Sequence, residues 1–131
     1  MNAFLLIAAA ALLSIGIMHS VVAEWKGERR LVWRITQLTL FDSSDAKDLL
    51  ARRIVRLAWH LTSLIWCGTA AVLAYIAFVE ASESIVVIVR ILSVVFLLHS
   101  ALSLAIVRGK HGSWLGFLIV SVFSFLGTMT F

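Results

Sequence analysis

The sequence predicts an all-α integral membrane protein: an antiparallel four-helix transmembrane bundle with a cytoplasmic amphipathic segment between helices 1 and 2. Three observations carry this reading. Hydrophobic residues make up 62% of the 131-residue chain, charged residues only 14%, and proline is absent. A soluble domain carries about 25% charged residues, so this chain could not cover itself with a polar surface. The apolar residues fall into four long runs rather than short alternating segments, which excludes a β-barrel. One compact bundle, residues 1–131, accounts for the whole length.

The first run, 2–23, carries no charged side chain. It lacks a basic start and exceeds the apolar core of a cleaved leader, about 7–15 residues, so it is expected to be retained. The second, 54–79, the third, 84–107, and the fourth, 112–131, are each near the ~20 residues that cross a hydrocarbon core as a helix. No repeat, low-complexity tract or linker divides them.

Between the first two runs lie Lys26, Arg29, Arg30, Arg34, Lys47, Arg52 and Arg53, with Arg56 just inside the second, and between the last two lie Arg108 and Lys110. The turn between runs two and three holds only Glu80 and Glu83. Positive charge marks the cytoplasmic side, so both termini are expected outside. Trp25, Trp33, Trp59 and Trp114 cluster toward the cytoplasmic boundary, where indole rings favour the interface. Arg90, seven residues beyond Glu83, is expected to snorkel toward the acidic turn. The net charge of +4 reports orientation and contact with anionic lipid, not nucleic acid, since no basic stripe alternates with stacking aromatics.

The long basic loop is expected to be structured. Leu31, Ile35 and Leu38 recur at helical spacing beside Arg30 and Arg34, as in a helix lying on a membrane surface. The cluster Asp42-Ser43-Ser44-Asp45 offers an N-cap, so helix 2 is expected to begin near Asp45.

Each run carries or adjoins one histidine: His19, His60, His99 and His111. An ionisable side chain inside a bilayer is costly and marks a functional site by default. Counted from Glu24, Arg53 and Arg108 respectively, His19, His60 and His99 lie roughly 7–13 Å inside the cytoplasmic face, with His111 at the interface. The expectation is a histidine-lined intramembrane site in which His19, His60 and His99 hold a transition metal or haem, with His111 near its mouth. Neutral imidazole suits Zn, Cu or Fe, and His19 with His99 are the pair for a haem iron. Such a protein would be redox-related. The rival expectation is a non-enzymatic accessory or structural subunit of a larger membrane complex, whose histidines serve as hydrogen-bond glue and whose partners are the bilayer and other membrane subunits. His60, Ser63, Cys67, Ala71 and Ala74 share a small-residue face that is expected to meet other helices. Catalytic residues are not assigned: there is no HExxH, no CxxCH and no intramembrane carboxylate for a triad or a proton exchanger. Cys67, two turns from His60, is a packing residue.

The stretches His19-Ser20-Val21-Val22-Ala23-Glu24, Glu28-Arg29-Arg30-Leu31, Arg56-Leu57-Ala58-Trp59-His60-Leu61-Thr62-Ser63 and Arg108-Gly109-Lys110-His111 resemble a family of small, uncharacterised four-helix bacterial inner-membrane proteins. The resemblance implies inner-membrane location and four spans, and nothing chemical.

Overall fold

The computed structural model describes residues 1–22, 46–110 and 112–131. Among them are four α-helices and no strand: α1 Ala3–Ile17, extended by a π-helical turn Met18–Val22, α2 Ala46–Ile76, α3 Glu83–Val107 and α4 Ser113–Gly127. Three helical stretches, Ala3–Val21, Arg53–Ile76 and Glu83–Ile106, are long and apolar enough to cross a membrane. Helix α4 is also apolar but has 15 residues, roughly 22 Å at the usual rise. The expected amphipathic segment Leu31–Leu38, the Asp42–Asp45 cap and His111 lie outside the described residues.

The chain divides into two compact units, Met1–Ile15 with Trp66–Phe131, and Gly16–Ile65. The core of the first unit includes Leu5, Leu12, Leu73, Val89, Phe117 and Val120. Its α3–α4 hairpin follows a heptad pattern. Val89, Ser93, Phe96 and Ser100 are buried on α3, and Phe117, Val120, Ser124 and Gly127 on α4, at spacings of four and three that keep one stripe facing a partner helix. Small hydroxyl residues in that stripe let the backbones approach. Ser93 Oγ donates to the Ser121 carbonyl at 2.9 Å and Ser100 Oγ to the Trp114 carbonyl at 2.7 Å, while Ser103 and Ser113 pair hydroxyls at 2.6 Å. The partners run in opposite order along the two helices, so the pair is antiparallel.

Local chemistry sets the helix ends. Ser82 is extended and its Oγ accepts from Ile85 N, capping α3. Arg108 enters the left-handed region at φ 49° and Gly109 follows at φ 73°, which closes α3 as αL residues commonly do. Gly109 takes that conformation without a Cβ penalty.

The start of α1 is fastened by Asn2, which is buried. Its Oδ1 accepts from Leu5 N at 3.2 Å as an N-cap, its Nδ2 donates to the Gly127 carbonyl at 2.8 Å and to Thr130 Oγ1 at 3.1 Å, and its backbone N–H donates to the Ala77 carbonyl at 2.8 Å. One residue thereby joins α1 to the ends of α2 and α4. The last carbonyls of α4 have lost intrahelical partners, and Asn2 supplies one donor. Thr128 serves another, its Oγ1 donating to the Phe125 carbonyl at 2.8 Å. Nearby, Leu5 packs where Gly127 has no side chain, since a Cβ there would meet Leu5 Cδ2 at 2.6 Å.

Arg90, expected to snorkel toward the acidic turn, has Thr128 at the end of α4 as its partner. Its Nε donates to Thr128 Oγ1 at 3.3 Å, placing a cation beside the carbonyl end of α4, where positive charge is favourable.

Candidate functional site

The second unit holds two of the four expected site histidines. His19 and Ser20 are adjacent on the π-helical turn, and Trp59, His60 and Ser63 lie on α2. The two segments exchange hydrogen bonds reciprocally. His19 Nδ1 pairs with Ser63 Oγ at 2.7 Å, and Ser20 Oγ pairs with His60 Nδ1 at 2.5 Å. Trp59 closes the cluster. Its indole N–H donates to the His19 carbonyl at 2.9 Å, and its ring stacks on the imidazole at 3.9 Å and 10°. A further bond, Ser63 Oγ to the Trp59 carbonyl at 3.4 Å, ties the serine to its own helix.

These contacts explain one another. A π-turn widens the helix and is frequent at functional sites. Here it falls on the residues that meet α2 through polar groups. Where water is scarce, each ring nitrogen and each loosened carbonyl needs a partner, and serine and indole are short, well-directed ones. The adjacent pair His19-Ser20 facing His60 and Ser63 was the available signal in the sequence: each segment brings both one imidazole and one hydroxyl. Trp59, read from sequence only as an interfacial anchor, is a member of the cluster.

His99 belongs to the first unit. Its Nδ1 bonds the Val95 carbonyl one turn back on α3 at 2.9 Å. Its ring lies 5.4 Å from Phe117, 5.8 Å from Phe96 and 6.5 Å from Trp66. Phe96 and Phe117 are buried, whereas His99 is exposed. Trp66 and Phe117 also meet edge-on at 5.0 Å, so α2, α3 and α4 each contribute rings to one aromatic cluster.

The structure thus places His19 and His60 together, puts His99 among aromatic rings in the other unit, and does not describe His111. Among the described residues no group of three or more His, Cys, Asp or Glu side chains could hold a metal ion. The expected small-residue face of α2 is rotated by about one position. Ser63 and Ala70 are buried, Cys67 and Ala74 are half-buried, and Ala71 is exposed. The stripe Ser63, Ala70, Leu73, Ala77 is spaced one heptad, then three and four residues, and Ala71 lies outside it.

Comparison with protein-family models, curated proteins and solved structures finds no match to this chain. Its class is therefore defined by its own features: an all-helical protein with three helices long and apolar enough to cross a membrane, and a reciprocal histidine–serine cluster.

Proposed function

We propose that this chain is an integral protein of the bacterial inner membrane that acts as a non-enzymatic accessory or structural subunit of a larger membrane complex. The observation that carries this reading is the reciprocal pairing of His19 with Ser63 and of Ser20 with His60. Each imidazole has a hydroxyl partner, which is the use of intramembrane histidine as hydrogen-bond glue. On this reading α4 is a fourth span. Its polar contacts accompany α3 from Ser103 to Arg90, so it runs to the depth of the α3 residue Arg90. The basic loops lie in the cytoplasm and both termini outside, as the charge pattern directs.

A second reading, a metal or haem site near the cytoplasmic side, draws support from two histidines meeting at a π-turn. Metal analysis and a visible spectrum of protein purified from native membranes separate the two. The accessory reading expects neither stoichiometric Zn, Cu or Fe nor a Soret band, and migration of the gently solubilised chain within an assembly containing other subunits. A stoichiometric metal or haem that His19→Ala or His60→Ala removes, or a chain that migrates alone, would overturn it.

A further inference from the structure

We propose that His99, together with Trp66, Phe96 and Phe117, forms a membrane-facing site for a lipid-soluble aromatic ring bearing a hydroxyl donor, a hydroquinone-type head group. The inference rests on the membrane reading of α3 and is independent of the His19–His60 cluster.

The starting point is the tautomer of His99. A backbone carbonyl can only accept, so the 2.9 Å contact between His99 Nδ1 and the Val95 carbonyl fixes a proton on Nδ1. In the neutral ring Nε2 is then a lone-pair acceptor held in one orientation. Among the described residues His99 makes no other hydrogen bond. An acceptor on the exposed side of an apolar helix has no water to turn to in hydrocarbon, and leaving it unpaired is costly.

What could pair with it is narrowed by chemistry. Among the described residues no group of three or more His, Cys, Asp or Glu could hold a metal ion, and lipid tails carry no donor. The occupant must therefore dissolve in the membrane, donate an O–H, and pack beside rings. The neighbours of His99 are three aromatic side chains from three helices, at 5.4 to 6.5 Å, a separation at which aromatic groups attract through offset or edge contacts. Phe96 and Phe117 are buried behind His99, whose imidazole is exposed, and Trp66 is half-buried. A phenolic ring seated on this exposed side, beside His99 and Trp66, would direct its hydroxyl to Nε2.

The test uses full-length protein in lipid nanodiscs, labelled with ¹⁵N at histidine and titrated with tetramethylhydroquinone. The di-O-methyl ether of the same ring, which has no donor, is the control. The expected result is a saturable shift of the His99 Nε2 signal in the direction of an accepted hydrogen bond, absent with the ether. His99→Phe should weaken binding by about three- to tenfold, and His99→Gln, which restores an acceptor, should recover part of that loss. No saturable shift, or an equal shift with the ether, overturns the proposal. So does an Nε2 signal already hydrogen-bonded without probe and unmoved by it, which would assign this atom to a partner helix. The wild-type titration decides the matter even where His99→Phe does not fold.

Discussion

His19 and Trp59 lie ring on ring, their centroids 3.9 Å apart and their planes 10° from parallel, while the Trp59 indole donates to the backbone carbonyl of the same histidine. A stack alone would tolerate a slide, and a hydrogen bond alone would tolerate a tilt. Together they fix both the position and the angle of the imidazole that Ser63 meets.

Coupling should follow from that geometry. Ser63→Ala and Trp59→Phe are each expected to cost about 0.6–1.7 kcal/mol, the range of single interhelical hydrogen bonds in membranes. Because both act on His19, the double variant should cost less than the sum. Unfolding in mixed detergent micelles measures all three, and strict additivity would show that the two contacts are independent.

Asn2→Ala should be among the most damaging polar-to-alanine changes. It removes an N-cap, at about 1 kcal/mol, and two interhelical donations at about 0.6 kcal/mol each. Asn2→Asp keeps the cap acceptor but faces the Gly127 carbonyl with negative charge, and should be at least as destabilising. A loss under about 0.5 kcal/mol in the same micelle assay would remove Asn2 from its joining role.

Gly127→Ala drives a methyl into Leu5, a fully buried residue. The expected cost is about 1–3 kcal/mol, as for overpacking elsewhere. In Leu5→Ala the space is already vacant, so adding Gly127→Ala to that background should cost little or nothing. A full penalty there would point to helix geometry rather than packing.

Two serines on facing stripes should behave oppositely. Ser93→Ala loses a donation to the Ser121 carbonyl and should destabilise by about 0.6 kcal/mol. Ser124 Oγ is buried with no hydrogen-bond partner among the described residues, so Ser124→Ala removes a group that has nothing to lose and should be neutral or stabilising. The order of the two melting shifts checks this.

Topology is tested by single cysteines in a Cys67→Ala background. Lys110→Cys should react with an impermeant thiol reagent only after the membrane is opened, and Thr130→Cys before it. The reverse pattern would invert the proposed orientation.

Much of the architecture was legible because hydropathy and length act residue by residue. The runs 54–79 and 84–107 coincide closely with the apolar parts of α2 and α3. Counting helical rise put His19 and His60 at similar levels along their helices, and the structure joins their two segments through Ser63 and Ser20. Direction around the helix axis was not legible. One residue turns a helix by about 100°, which is why Ala70 is buried where its neighbour Ala71 is exposed. Asn2 went unremarked because its partners, Ala77, Gly127 and Thr130, are distant in sequence and leave no local pattern.

That distance bears on how the chain is made. Residue 2 leaves the ribosome long before residue 127, yet its amide donates to the carbonyl of that residue across a separation of 125 positions. On the membrane reading proposed above, α1 enters the bilayer during synthesis with this amide unmatched or held by a transient partner. The closing contact, and the loop-closure entropy it costs, arrives only with the last helix. On that reading insertion can proceed helix by helix, while α1 is locked in place only when α4 arrives.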